Sequence, residues 1–382
     1  MKRKFIPLTK PYIGKEEVQA VINSLSRKDF AADGYYSKKL SLALSKFLTI
    51  PYVYLTPSCS SALELAIRAL GIGKDDEIIL PSFTFTSTAN AVMNAGAKVV
   101  FAEIEKENLA LDPTLLEKYI TKKTKAILFV WYGGWVNQIE EIITIAKKYN
   151  LFVIEDAACA LGTKIVNKYA GTFGDIGCFS FHETKNVICG EGGALVTRHL
   201  DLSSEIDIIR NHGTNRAAVL AGMASSYQWI KLGGSYLLSD ILASLAFAQF
   251  KKIEKINNKR RDIALLYLKN LGNLGKNVWL PTLQVHCVTN WHTFAIRVPA
   301  KYQLPIIFEL KKRGVRAAFH YLPLHSSPFG KKMGFGDTRF PVTSEISSTI
   351  IRLPIYPSLT KEEVGYISKT LRQILAKFSL LK

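Results

Sequence analysis

Between about residues 50 and 200, apolar runs of strand length alternate with stretches of helical periodicity, which commits the chain to an α/β fold on a covered, mostly parallel sheet. The runs at 77–80, 98–104, 126–132, 151–154, 177–181 and 194–197 lack the polar alternation of a half-exposed strand, so both sheet faces are expected to be buried. Helices are predicted between them. One spans 61–70, with Leu63, Ile67 and Leu70 on one face and Gly71 as its stop; another opens at Asp112-Pro113, an N-cap followed by a first-turn proline. A third spans 139–149 and carries Lys147 and Lys148 where cations complement the helix dipole. Residues 239–268 read as a single long amphipathic helix. After it a shorter α/β set recurs, with strands at 291–298 and 315–321 and a capping box, Thr360-Lys361-Glu362-Glu363, opening the last helix. With 382 residues and roughly 100 to 200 per domain, two units are expected, a large one over 1–255 and a small one over 256–382.

Composition excludes several classes. No stretch reaches the ~18 uninterrupted apolar residues of a membrane helix, and the longest candidate, starting at Ala126, is broken by Gly133-Gly134, so no membrane insertion is expected. The basic start Met1-Lys2-Arg3-Lys4 is like that of a signal peptide, but Pro7, Lys10 and Pro11 leave no room for an apolar core behind it. A cytoplasmic protein is expected. Five cysteines (Cys59, Cys159, Cys178, Cys189, Cys287) form an odd set with no CxxC pair, which favours reduced thiols over a disulfide framework or a zinc site. A net charge of +19 raises the question of nucleic acid. The lysines are scattered along helices rather than gathered in a basic arm, so no nucleic-acid partner is expected, while an anionic substrate suits the charge.

The chemistry centres on Lys185. Asp156 lies upstream, Ser180 just before it, and Gly190-Glu191-Gly192-Gly193 just behind. An enzyme that uses pyridoxal phosphate needs a lysine for the aldehyde, a carboxylate for the ring nitrogen, a helix N-terminus with hydroxyls for the phosphate and an aromatic face for the ring. Lys185, Asp156, Ser58-Cys59-Ser60-Ser61 with Ser180, and Phe83 or Phe85 supply these in turn. Each has an ordinary explanation alone: a solvated loop lysine, a turn aspartate, a serine cap, core phenylalanines. Their order along an α/β chain is what points to the cofactor.

Further motifs carry a resemblance. Ile6-Pro7-Leu8, Pro81-Ser82-Phe83-Thr84-Phe85, Glu155-Asp156-Ala157-Ala158, Phe173-Gly174-Asp175-Ile176-Gly177 and Gly190-Glu191-Gly192-Gly193-Ala194 resemble the DegT/DnrJ/EryC1/StrS sugar aminotransferases, a branch of the fold-type I pyridoxal-phosphate enzymes. Within that family, Thr56-Pro57-Ser58-Cys59, Phe181-His182-Glu183-Thr184-Lys185-Asn186, Gly213-Thr214-Asn215-Arg216, Ser235-Tyr236-Leu237 and Phe319-His320-Tyr321 with Pro323-Leu324-His325 are similar to the branch that makes dTDP-4-amino-4,6-dideoxygalactose for enterobacterial common antigen.

The resemblance implies a large, mostly parallel seven-stranded sheet domain with helices on both faces, plus a smaller C-terminal α/β domain. It implies transfer of an amino group from L-glutamate to the C4 ketone of dTDP-4-keto-6-deoxy-D-glucose. Pyridoxal 5'-phosphate would be held covalently as an aldimine on Lys185, with Lys185 and Asp156 catalytic. Cys59, Ser60 and Ser180 would line the phosphate, Phe85 would stack on the ring, and Cys159 would stand near its hydroxyl. The enzyme would be a homodimer with shared active sites, Ser235 reaching the other subunit's cofactor, and Arg216, His320 and His325 would contact substrate. Other nucleotide-linked keto sugars, and a non-catalytic pyridoxal-phosphate protein, stay open. Cys159 replaces the Gln or His usual in the family, Trp131 replaces a His beside an unusual Gly133-Gly134-Trp135, and the loop after Lys185 is one residue short. These departures are expected to alter cofactor tuning and the substrate pocket.

Overall fold

The computed structural model describes residues 5–28, 30–135, 137–272, 274–283, 287–336 and 339–381; the basic start Met1-Lys2-Arg3-Lys4 lies outside them. Seven strands form the main sheet: β1 (Tyr52–Thr56), β2 (Glu77–Pro81), β3 (Lys98–Ala102), β4 (Thr124–Val130), β5 (Phe152–Asp156), β6 (Ile176–Ser180) and β7 (Gly193–Thr197). Their order is β1-β7-β6-β5-β4-β2-β3, and only β7 runs against its neighbours. All six apolar runs between 77 and 197 are strands of this sheet. The seventh, β1, escapes the sequence pattern because its Tyr52-Val53-Tyr54 start is only half-buried at the sheet edge.

Strand side chains feed two cores, one on each face. Ile79, Ile127, Phe129, Val153 and Phe179 pack with Leu40, Leu44 and Ile142 on one side. Ile78, Leu80, Leu128, Ile154 and Leu195 pack with Leu63, Ile67 and Val92 on the other. Each such side chain contributes about 1.5–3 kcal/mol by leaving water, which is why these runs carry no polar alternation. The caps read from sequence are in place. Ser58 Oγ accepts from Ser61 N at 3.1 Å and opens the helix Cys59–Ala69. Asp112 Oδ1 accepts from Thr114 N at 2.9 Å, and Thr360 and Glu363 form a reciprocal box.

Two elements differ from the sequence pattern. Residues 239–268 belong to two helices, Asp240–Phe250 and Ile253–Leu271, rather than one. The first is apolar nearly all round and packs against the helices Lys15–Ser26 and Tyr35–Leu48. Lys252 turns the chain, and its ammonium pairs with the fully buried Glu17. Removing that cation from a buried carboxylate would cost about 3–5 kcal/mol, more than the roughly 0.5–1.5 kcal/mol of each helical hydrogen bond gained by running straight through. Residues 315–321, read as a strand, form only single bridges, Val315 to Ile6 and Ala318 to Arg352. Among the described residues no continuous partner lies alongside, and the rest of the segment turns His320 and Tyr321 toward the ends of the main-sheet strands.

A third core lies in the C-terminal part of the chain. It gathers Tyr267, Phe294, Ile296, Leu310, Ile351, Leu371 and Ile374 around the antiparallel pair β8 (Phe294–Arg297) and β9 (Ile350–Leu353). The N-terminal segment crosses to it: Ile6 N donates to Gly314 O at 2.8 Å and Arg316 N to Ile6 O at 2.9 Å. That anchor carries Leu8 and Thr9 to the edge of the main cavity.

Candidate active site

The carboxyl ends of β1, β2, β4, β5 and β6 open on one cavity of about 640 Å³, in the place where loops diverge and ligands gather in open α/β sheets. Asp156 ends β5 and is 7% exposed. Its Oδ2 accepts from Thr88 Oγ1 at 2.9 Å and its Oδ1 from Ala158 N at 3.2 Å; Thr88 Oγ1 is itself 2.8 Å from Thr84 Oγ1. Burial pushes the carboxyl above its ordinary range, and Thr88, Ala158 N–H and Lys185 offset that only in part. Among the described residues no ion pair engages it. It is a carboxylate held in readiness for a cation.

Lys185 arrives on the loop after β6, its N–H donating to His182 O at 2.9 Å. Nζ donates to Cys159 Sγ at 3.1 Å. Burial works against the ammonium, but Cys159, Cys59 and Asp156 outweigh it and hold the proton on. The next residue fixes the loop: Asn186 Nδ2 donates to Asn257 Oδ1 (2.8 Å) and Asn290 O (3.1 Å), and its Oδ1 lies 3.2 Å from His292 Nδ1. Cys159 thus meets the lysine amine directly.

The neighbouring carboxylate has another task. Glu155 is fully buried and accepts from Gly171, Phe173 and Gly174 N–H and from Trp131 Nε1, the last at 2.8 Å. Trp131 is therefore fixed from behind by β5 while one side lines the cavity. The adjacent glycines are steric requirements. Gly134 has φ +75, and a Cβ there would run into the Asn290 side chain and lie 2.6 Å from the Cys159 carbonyl. Gly134→Ala is expected to lower stability by about 2–4 kcal/mol in a denaturant titration; an unchanged midpoint would show that this turn rearranges freely.

At the other end of the cavity, Cys59 and Ser60 form the first turn of the helix Cys59–Ala69, where unpaired N–H groups and the dipole favour an anion. Ser60 Oγ donates to Ser87 Oγ at 2.7 Å, and Ser180, 8% exposed, ends β6 beside them. Gly193 opens β7 underneath; a Cβ there would lie 2.6 Å from Cys59 N. Phe85 is 58% exposed and borders the cavity, whereas Phe83 is buried with Tyr132 and Trp135.

Cys59, Ser60, Phe85, Asp156, Cys159, Ser180, Lys185 and His320 thus converge on one cavity. His325 does not: its Nδ1 is 2.7 Å and its N–H 3.1 Å from Ser82 Oγ, and its ring packs on Phe340 at 4.9 Å. It props the loop after β2 and is buried outside the cavity lining. Arg216, at the start of the short helix Arg216–Leu220, and Ser235 are exposed and outside this chain's own cavity. The sequence reading missed Thr88, Tyr132, His292, Tyr321 and Arg352, all of which line it. Thr88 and Tyr132 had local signals, the first four residues after Thr84 and the second at the end of the run 126–132; the others arrive by long-range packing.

An amine, a buried carboxylate with no ion-pair partner, a helix N-terminus flanked by hydroxyls and a part-exposed aromatic ring fit pyridoxal phosphate: Lys185 for the aldehyde, Asp156 for the ring nitrogen, Cys59, Ser60 and Ser180 for the phosphate, Phe85 for the ring face. This fold and this donor set define a fold-type I pyridoxal-phosphate aminotransferase. The sequence matches the DegT/DnrJ/EryC1/StrS aminotransferase family over residues 11–372, and the chain belongs to that family. It is 31% identical over 383 residues, 98% of each chain, to the spore coat polysaccharide biosynthesis protein SpsC of Bacillus subtilis. Its structure is similar to Helicobacter pylori PseC, an aminotransferase involved in the biosynthesis of pseudoaminic acid, with TM-score 0.90 and 27% identity over 98% of this chain and 100% of that one. It is also similar to NtdA of Bacillus subtilis with bound cofactor PMP, with TM-score 0.87 and 27% identity over 98% and 87% of the two chains. The protein is a pyridoxal-phosphate-dependent sugar aminotransferase.

Proposed function

We propose that the enzyme transfers the amino group of L-glutamate to the C4 ketone of dTDP-4-keto-6-deoxy-D-glucose, giving dTDP-4-amino-4,6-dideoxy-D-galactose for surface polysaccharide synthesis in the cytoplasm. One observation carries the reading: the segments most like that branch of the family, those with Cys59, Lys185 and His320, meet at the same cavity. When bound, pyridoxal phosphate supplies an electron sink for the pair left behind as the donor's α-proton departs. Lys185 would hold the cofactor by its amine, and the same amine would move that proton. Asp156 would keep the ring nitrogen protonated, the helix start at Cys59 and Ser60 would hold the phosphate with Ser180, and Phe85 would cover the ring. Cys159 steadies the Lys185 amine through the 3.1 Å contact.

Residues 1–255 make the cofactor-binding part in this reading, and 256–382 bring His320, Tyr321 and Arg352 over it. The segment holding Leu220, Met223, Tyr227, Trp229, Ile230 and Leu232 is exposed, an apolar surface that a lone subunit would seldom leave in water. A second copy covers it in the proposed homodimer, which lets Ser235 and Arg216 serve the neighbouring cavity. The net charge of +19 suits a substrate that brings a diphosphate.

Incubating the protein with pyridoxal phosphate, L-glutamate and dTDP-4-keto-6-deoxy-D-glucose is expected to give the 4-amino sugar by mass spectrometry, with the galacto configuration by NMR. Amination of a different nucleotide sugar, with none of this one, would remove the substrate assignment.

A further inference from the structure

Among the described residues Cys159 is the one cysteine whose sulfur takes a hydrogen bond from an ammonium, that of Lys185 at 3.1 Å. It is half-buried and lines the main cavity, so a small solute that enters the cavity reaches it. Reactive cysteines in general sit partly exposed beside a cation, because the cation favours the thiolate that does the chemistry. The other four lack that setting. Burial pushes the Cys178 thiol well above its ordinary value and the Cys189 thiol up to about 12. Cys59 also feels Lys185, but burial and Asp156 outweigh it, and Cys287 is pushed up by burial and then by Glu140.

One residue holds the pair from both sides. Asn290 Nδ2 donates to Cys159 O at 2.9 Å, and Asn290 O accepts at 3.1 Å from Asn186 Nδ2, one position after the lysine. The backbones that carry the sulfur and the amine are therefore fixed against each other, and only the lysine stem has to move for the two atoms to meet. We propose that Cys159 and Lys185 form a reversible redox switch: peroxide oxidises the sulfur, and the free lysine amine then bonds to it, which removes the amine that holds the cofactor. In the first step the thiol and hydrogen peroxide give a sulfenic acid and water, the sulfur losing the electron pair that the peroxide O–O bond takes up. In the second, Lys185 sheds its ammonium proton to water and its nitrogen attacks the sulfur. The S–O bond breaks, and hydroxide leaves with one N–H proton as water, so a sulfur–nitrogen bond forms with no further redox change. A dithiol reverses the bond: one thiol takes the sulfur and returns the amine, and the second closes the dithiol's own disulfide and frees Cys159. The bond itself rests on the contact with Lys185, and its effect on cofactor loading rests on the aminotransferase reading.

The full chain is loaded with pyridoxal phosphate or with pyridoxamine phosphate, which leaves the lysine amine free, and each sample is treated with hydrogen peroxide and then catalase. Peptide mapping of the pyridoxamine-phosphate sample by mass spectrometry is expected to show the peptides of Cys159 and Lys185 joined, lighter by two hydrogen atoms than their sum, and parted again by dithiothreitol. The pyridoxal-phosphate sample should be protected, its lysine being occupied. Exchange of pyridoxamine phosphate for pyridoxal phosphate should then fail to raise the band near ~420 nm in the treated sample, and dithiothreitol should restore it. Cys159→Ser should give no joined peptide and should regain its band equally with and without peroxide. Separate peptides in the wild type, a Cys59–Cys159 disulfide, a bridge that keeps an oxygen atom, equal bridging in both samples, or full loading after treatment would each overturn the switch. If Cys159→Ser does not fold, the wild-type peptide map decides. An enzyme that aminates its keto sugar but shows no bridge would lose this inference alone, whereas a bridged protein that aminates no sugar would keep it and lose the proposed function.

Discussion

Lys185→Ala is expected to abolish turnover, lowering kcat by at least about 10³-fold, and to remove the visible band of the lysine-bound cofactor near ~420 nm. The size follows from the two tasks this amine holds at once, covalent anchorage and proton transfer at the donor carbon. The fold should survive. Among the described residues the one hydrogen-bonding side-chain partner of Nζ is Cys159 Sγ at 3.1 Å, so truncation leaves a thiol, a weak acceptor, without its donor, and leaves Asp156 with Thr88 and Ala158 N–H against its burial. The loop itself is fixed one residue later by Asn186 through Asn257, Asn290 and His292, none of which involves the lysine side chain. A melting temperature close to wild type, with both signals gone, is the expected pair of results. Turnover near the wild-type rate in the alanine variant would sink the assignment of Lys185, whereas a collapsed melting temperature would mean that the loss reports folding rather than chemistry.

Where the sequence was legible, the reason is local physics. Strands β2 to β7 declare themselves because sheet faces on both sides are packed, and Ser58, Asp112 and Thr360 declare helix starts because they satisfy orphan N–H groups within three residues. Lys185, Asp156 and Ser180 could be placed together because all three follow or end neighbouring strands of one sheet, whose carboxyl edge is a fixed place in the fold. The cavity's other wall had no such signature. Arg352 and Ala318 meet through a single bridge, as do Ile6 and Val315, and nothing in the surrounding residues marks one-residue pairings between segments so far apart. His325 shows the converse: it stands in a motif-like stretch, while Ser82, 243 positions away, holds it in the interior outside the cavity lining. The break at Lys252 was hidden for the same reason, since its cause, the buried Glu17, lies in the first helix.

Asp156→Asn is expected to reduce activity roughly 10²–10³-fold and yet to make the cofactor-free protein more resistant to heat at pH 7. The two effects share one cause. Burial raises the folded-state pKa of Asp156 above its unfolded value, so its favourable contribution is complete below the ordinary carboxyl range and is lost as pH rises through the folded value. At neutral pH the ionised group is a cost to the cofactor-free fold. Asparagine keeps the geometry without the charge: its oxygen accepts from Ala158 N–H, and its amide donates to Thr88, whose hydroxyl then turns to Thr84 at 2.8 Å. The stability difference between variant and wild type should therefore shrink as pH falls and vanish once the wild-type carboxyl is protonated in both states. Pyridoxal phosphate should reverse the order, because a protonated ring nitrogen supplies the cation that this carboxylate lacks, and wild type should gain more in melting temperature than the variant on adding it. Melting curves with and without cofactor across the acid range test both signs together. A variant that is less stable than wild type at pH 7 without cofactor, or that keeps full activity, would mean that Asp156 serves the fold rather than the ring; stability gained and catalysis lost from one atom's charge is what a residue held in strain for its cofactor should give.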